Sequence, residues 1–250
     1  MESGIILARV ARSISALLVC VAVGALVAAC GGGGSSSKAT TPSASTETVV
    51  TAGTKLPAGC TKVTDPGPRE AETNQKRPTG RLSGPATVVM QTNCGTFTIT
   101  LDTERAPRTT ASFATLVKRG FYDALQFHRV GTDTSGKPFV IQGGDPLTTG
   151  LGGPGYTIKE KPPSDLKYTK YTVAMARTAT EPSGTSGSQF FVVTAPDAGL
   201  SPSYALVGKV TSGKDAIDRI SKVPANGNES PIAPIVIQKA TLQGGTLSGT

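Results

Sequence analysis

The chain has 250 residues, 37% hydrophobic and 5% aromatic with no Trp, a formal net charge of +8 and a single His. Its first eighty residues are too biased in composition to build a core, so the count is one globular domain. One His and no Cys-x-x-Cys pair argue against a metal site, and the sequence calls for no cofactor. The positive excess is scattered, without a basic run interleaved with aromatics, so nucleic acid is a poor partner; anionic lipid headgroups or wall polymers suit it better than nucleic acid, and a solvated surface is the default reading.

Arg9 and Arg12 precede an uncharged run from Ser13 to Ala29 that is short for a membrane span and ends in Val27-Ala28-Ala29-Cys30. This predicts an export signal over residues 1–29. Small residues directly before a Cys resemble the bacterial lipoprotein signal, in which Cys30 is lipidated, for instance by palmitate, and becomes the new N-terminus. An ordinary signal peptide or an uncleaved anchor with a chance Cys is the alternative. Two or more acyl chains would hold the protein lastingly at the outer face of the bacterial cytoplasmic membrane. Losing residues 1–29 removes two positive charges and one negative charge, which leaves +7.

Residues 30–58 are Gly, Ser, Thr, Ala and Pro with almost no large apolar side chain, so they cannot offset their ordering entropy and read as a flexible tether. Residues 59–85 form a pre-domain segment, and 86–245 the folded domain. Cys20 lies in the signal and Cys30 at its end, which leaves Cys60 and Cys94. An even pair in an exported chain suggests a disulfide, with two free thiols as the alternative. The bond would pin the pre-domain segment to the first hairpin.

Alternation in Ala86–Gln91 and Thr96–Leu101, about Asn93-Cys94-Gly95, predicts that hairpin, with Phe97, Ile99 and Leu101 on one face. Pro107 opens a helix whose Phe113, Leu116 and Val117 fall at helical spacing and which Gly120 ends. Short strand-like runs follow at 127–130, 139–142, 172–176, 189–194, 205–210 and 235–242, separated by Gly, Pro and Ser; strands of this kind suggest a barrel. Ser212 as N-cap, with Asp215 three residues on and Ile217 and Ile220 on one face, predicts a second helix.

Three segments carry the chemistry: Phe127-His128-Arg129-Val130, Phe139-Val140-Ile141-Gln142-Gly143-Gly144-Asp145 and Gly187-Ser188-Gln189-Phe190-Phe191-Val192. They set one guanidinium and two amides among aromatic and β-branched residues, which is how a binding cleft reads, because each buried donor needs a fixed partner. Other readings fail on spacing. Gly150-Leu151-Gly152-Gly153-Pro154-Gly155 fits a dinucleotide fingerprint, but no helix opens at its end before Pro162-Pro163. Gly184-Thr185-Ser186 lacks the second flanking Gly of a nucleophile elbow. Asp145 and Glu160 could pair as carboxylates, but Asp145 precedes Pro146 in a Gly-rich turn and reads as a loop cap.

At those three segments, in that order and spacing, the chain closely resembles the cyclophilin family of peptidyl-prolyl isomerases, over about Ala86 to Gln243. The resemblance implies a mostly β fold, a closed eight-stranded antiparallel barrel with two capping helices, acting as a monomer on X-Pro bonds of exported polypeptides. Arg129 takes the place of the family's catalytic Arg and Gln142 that of the amide orienting substrate and Arg. Phe139, Val140, Phe191 and Leu200 take the places of the proline-pocket wall, with Val140 smaller than the frequent Met. His128 stands at the pocket edge, where packing and a hydrogen bond are expected. Ala176 and Arg177 match the strand whose backbone binds peptide, Arg177 replacing a common Asn, and Gln189 matches the second cleft amide. Gly199 stands where many members place a Trp that contacts cyclosporin, and Tyr204 where they place a His; Tyr204 still offers an aromatic wall. A non-catalytic module that holds Pro-containing segments of a partner is the competing reading, against which the intact Arg129 argues; a surface adaptor that uses residues outside the cleft is a further one, and nothing in the sequence names such a surface.

Overall fold

The computed structural model describes residues 55–249, so the expected signal over 1–29, the expected lipidation at Cys30 and the tether up to residue 54 lie outside the described residues. Strands β1 (Leu82–Thr92) and β2 (Gly95–Leu101) form the expected hairpin. Phe97, Ile99 and Leu101 are buried on its inner face. β1 begins before the expected Ala86, because buried Leu82 pairs with Leu247 at the far end of the chain. Cys60 and Cys94 are disulfide-bonded.

Helix α1 (Pro107–Lys118) starts at the proline and buries Phe113, Leu116 and Val117. Its N-cap, Ala106, has no side chain to offer. Glu160 fills that role from elsewhere in the chain, accepting the N–H groups of Arg108 and Thr109 at 3.1 and 2.7 Å, where a carboxylate also suits the positive end of the helix dipole. Glu160 therefore has no part in a carboxylate pair. Asp145 caps its own loop as expected, receiving the N–H groups of Leu147 and Gly150.

Strands β3 (Phe127–Thr132), β4 (Pro138–Gly143), β5 (Ile158–Lys159), β6 (Thr172–Met175), β7 (Thr185–Ser186), β8 (Phe190–Val193), β9 (Leu206–Ser212) and β10 (Ile237–Leu247) follow. The short β5 and β7 pair as a separate ribbon that the sequence pattern did not signal. The other eight form one antiparallel sheet in the order β10-β1-β2-β9-β6-β8-β4-β3. The sheet curls until its edges meet, where the Phe127 N–H donates to the Ile235 carbonyl and the Ile237 N–H to the Leu125 carbonyl, both at 2.8 Å. With α1 against β1 and β10 and α2 (Lys214–Ile220) against β2, this is the expected mostly β fold with two helices.

The cap of α2 differs from expectation. Ser212 ends β9, and Gly213 is the N-cap, at φ 68°, with no side-chain cap bond. A Cβ at Gly213 would stand 2.1 Å from the Thr96 carbonyl oxygen, so close passage over β2 in a left-handed conformation fixes glycine there. Asp215 pairs with Arg219 one turn on.

The central strands are apolar on both faces, which is why Phe190–Val193 reads as a continuous run. Phe127, Ile141, Val173, Phe190 and Val192 belong to the barrel interior. Val140, Ala174, Phe191, Val193 and Leu206 form a second apolar cluster on the opposite face, and this cluster underlies the site.

Candidate functional site

Arg129 reaches the outer face through an irregularity in β3. Phe127 pairs with Gly143 and Arg129 with Gln142, so His128 is one residue more than β4 has to match it. Phe127 points into the core, and strict alternation would send Arg129 inward as well. The bulge turns Arg129 outward beside Gln142 and returns Val130 to the core.

Arg129 is then held from two sides. Its Nε–H donates to Glu229 Oε2 at 2.5 Å and its Nη1 to Gln142 Oε1 at 3.3 Å. Gln142 Nε2 donates to Gln189 Oε1 at 2.9 Å, and Gln189 Nε2 to the Gly150 and Gly152 carbonyls at 2.9 and 2.8 Å. The donors in this chain fix both amide orientations, because only one assignment of each amide pairs donor with acceptor throughout. The Nη2 group donates to no protein atom among the described residues.

Next to this polar line stand Phe139, Val140, Phe191, Leu200 and Tyr204, all in the outer apolar cluster. The Phe191 and Tyr204 rings meet edge to face, 5.3 Å apart at 89°. Tyr168, which the sequence did not single out, braces both. Its hydroxyl donates to the Tyr204 carbonyl at 2.7 Å and accepts the Tyr204 N–H at 3.0 Å, so the substituted aromatic is locked at its backbone. The arrangement can seat a small apolar ring against aromatic walls with a cation at its edge.

His128 packs half-buried beside the site, but the expected hydrogen bond is absent: neither ring nitrogen has a partner among the described residues. Burial pushes its pKa below the ordinary imidazole value; the Asp145 carboxylate opposes this and the Arg129 guanidinium adds to it. The imidazole is therefore neutral near pH 7, unfit to act as a cation.

Ala176 gives its N–H to the Gln189 carbonyl at 2.8 Å, so a peptide could meet this residue only through the carbonyl. Arg177 does not reach toward Arg129. Its guanidinium stacks 5.2 Å from the Tyr204 ring centroid and donates to oxygens of Thr178, Glu181 and Ser203. Together with Gln142 and Gln189 it lines a cleft of about 610 Å³ that continues the site. Among the described residues no three His, Cys, Asp or Glu side chains stand close enough to hold a metal ion.

Residues 87–242 match the family model described as cyclophilin type peptidyl-prolyl cis-trans isomerase/CLD. The chain belongs to this family. It is an isomerase of the cyclophilin type, similar along its folded domain to curated relatives. The peptidyl-prolyl cis-trans isomerase ppi1 of Schizosaccharomyces pombe is 39% identical over 158 residues, 62% of this chain and 97% of that protein. The peptidyl-prolyl cis-trans isomerase-like 1 of Neurospora crassa is 38% identical over 156 residues, 61% and 91%. Among solved structures, a Cryptosporidium parvum cyclophilin type isomerase superimposes with a TM-score of 0.58 at 28% identity, covering 64% of this chain and 99% of that one.

Within the cyclophilin domain, sequence reasoning missed Glu229 and Tyr168. Glu229 lies in an Asn- and Gly-rich loop, where an isolated acid carries no pattern. Tyr168 sits outside any recognisable strand, and only its burial at 0% exposure marks it.

Proposed function

We propose that the protein accelerates rotation about X-Pro bonds of exported polypeptides, with Arg129 stabilising the twisted amide while the proline ring sits among Phe139, Val140, Phe191, Leu200 and Tyr204. The observation that carries this reading is the position of Arg129, fixed by Glu229 and Gln142 at the rim of an apolar pocket with Nη2 uncommitted.

The chemistry needs no nucleophile. Amide resonance resists rotation by about 20 kcal/mol and uncatalysed exchange takes tens of seconds. As the C–N bond twists, the prolyl nitrogen pyramidalises and becomes a better acceptor. A cation placed there favours the twisted state over the planar one, which is the differential binding that catalysis requires. A million-fold acceleration corresponds to about 8 kcal/mol, divided between the cation and the positioning of the ring. Gln142 holds the guanidinium and is placed to orient the peptide.

Export rests on the sequence: the signal pattern of residues 1–29 and the small residues before Cys30 support a lipid-anchored protein at the outer face of a bacterial cytoplasmic membrane, acting as a monomer without a cofactor. The Cys60–Cys94 bond suits an oxidising compartment.

Turnover tests the catalytic part. The protein should speed cis-trans exchange of a blocked Ala-Pro peptide in proportion to its concentration and shorten the proline-limited phase in refolding of an exported protein. A folded protein that binds the peptide and leaves its exchange rate unchanged would establish a binding module in its place. Mass spectrometry of the protein from a bacterial membrane tests the anchor, with an acylated Cys30 as the new N-terminus.

A further inference from the structure

The pre-domain segment is packed onto the domain as a strap. Beyond the Cys60–Cys94 bond, the Thr61 N–H donates to the Asn93 carbonyl at 2.8 Å, and Asp65 accepts from Gln126 at 2.7 Å. Arg69 is the principal anchor. Its N–H donates to the Pro146 carbonyl at 2.7 Å, its guanidinium to the Phe121 carbonyl at 2.5 Å, and the same group lies 5.1 Å from the centroid of the Phe121 ring. Three residues on, Glu72 pairs with Arg119 at 2.9 Å. The Glu72 carbonyl and Gln75 Cγ each stand 3.0 Å from where a Cβ on Gly155 would lie, so the strap presses on the loop that runs along the cleft.

These anchors deliver Ala71 and Glu72 to the wall of the cleft lined also by Gln142 and Gln189. Gln142, which lines the cleft, accepts from Arg129, so the cleft adjoins the proline pocket. The family match begins at residue 87, which leaves the strap outside it. We propose that the strap from Arg69 to Gln75 is a specificity-determining wall, shaping the subsite for residues of an extended polypeptide beyond the X-Pro pair. The proposal rests on the isomerase reading of the adjoining pocket.

The strap also changes the charge of the lining. Glu72 and Glu181 bring carboxylates to the cleft, Glu72 paired with Arg119, while Arg177 keeps its charge, since its acceptors at Thr178, Glu181 and Ser203 are carbonyl and hydroxyl oxygens. Glu72 offsets these guanidinium groups, so its removal favours an acidic substrate side chain over a basic one.

The test compares kcat/KM for a blocked Ala-Pro dipeptide with peptides extended three residues on either side, carrying Lys or Glu in the extension. Ala71→Trp, which fills the cleft from the strap, should lower kcat/KM for the extended peptides by about tenfold or more and leave the dipeptide within about twofold. Glu72→Gln should lower the Lys-to-Glu ratio of kcat/KM several-fold. Equal effects of Ala71→Trp on long and short peptides, or none on either, would overturn the proposal, as would an unchanged Lys-to-Glu ratio in Glu72→Gln. Failure of the isomerase reading would show separately, as no turnover of the dipeptide by the unaltered protein. The strap would then be judged by calorimetric affinities for the same peptides, with the same expected ratios.

Discussion

Glu229 receives the Nε–H of Arg129 at 2.5 Å across one hundred residues of sequence. Its second oxygen accepts the Thr132 N–H at 3.0 Å, and its own carbonyl accepts the Val130 N–H at 2.8 Å, so side chain and backbone are both tied to β3. Glu229 itself has φ 60°, an unfavourable value for a residue with a side chain. Asn226 holds that turn, its side-chain oxygen accepting the N–H groups of Asn228 and Ser230. The guanidinium is thus oriented by a carboxylate that is itself tied to β3.

Glu229→Ala should therefore lower kcat by about 10- to 100-fold with little change in KM, the effect of letting the cation swing away from its position. In an Arg129→Ala background the same substitution should add almost nothing, because the two act as one unit. Additive losses would assign Glu229 a role apart from Arg129.

His128 is the only His in the chain, so it can be followed alone. Its folded-state pKa lies below the unfolded value of about 6.5, so below pH 7 the unfolded chain takes up the proton first. Stability from this group is full above the unfolded pKa and declines as pH falls toward the folded one, with a slope of at most about 1.4 kcal/mol per pH unit. Denaturant unfolding between pH 7.5 and 5 should show this loss, measured at about those limits. His128→Asn should flatten it; an unaltered slope would place the dependence elsewhere.

The Cys60–Cys94 bond closes a separation of 34 residues. In the chain-entropy account this stabilises the fold by about 3 to 4 kcal/mol. Reduction, or the double change to Ser, should lower Tm by roughly 10 °C, given the size of the domain. It should also expose the strap to limited proteolysis near Thr61–Asp65, since Thr61 is tied to Asn93 beside the bond.

Tyr168→Phe removes the hydroxyl that serves both the N–H and the carbonyl of Tyr204. The expected cost is about 1–3 kcal/mol of stability, the range for leaving such groups unpaired. Weaker peptide binding should accompany it, because Tyr204 loses its lock at the pocket wall. A calorimetric comparison of the two proteins measures both.

Much of the site was legible because motif order carried it: Arg129, Gln142, Gln189, Phe139 and Phe191 stand together as those segments imply. The strands were legible through continuous apolar runs, although a run such as Phe190–Val193 does not say which face is which. The bulge at His128 was not legible, since one extra residue in β3 exists only relative to its partner β4. Nor was Glu229, whose importance comes from a turn that brings a lone acid back across a hundred residues. Ser212 misled because an N-cap pattern cannot show that the following Gly213 passes too near β2 for any side chain. The pinning of the pre-domain segment at Cys60 was legible, but its other anchors, Thr61, Asp65, Arg69 and Glu72, are single residues that carry no pattern.

The role of Arg129 is tested most directly by exchange NMR on a blocked Ala-Pro peptide, with kcat and peptide affinity measured separately for the unaltered protein, Arg129→Ala and Arg129→Lys. Loss of one preorganised donor predicts a fall in kcat of about 100- to 1,000-fold for Arg129→Ala, with affinity within a few-fold and the fold intact by circular dichroism. Arg129→Lys should recover little, since an ammonium lacks the planar fork by which the guanidinium spans Glu229 and Gln142. A folded Arg129→Ala protein that turns peptide over at the unaltered rate would contradict the account.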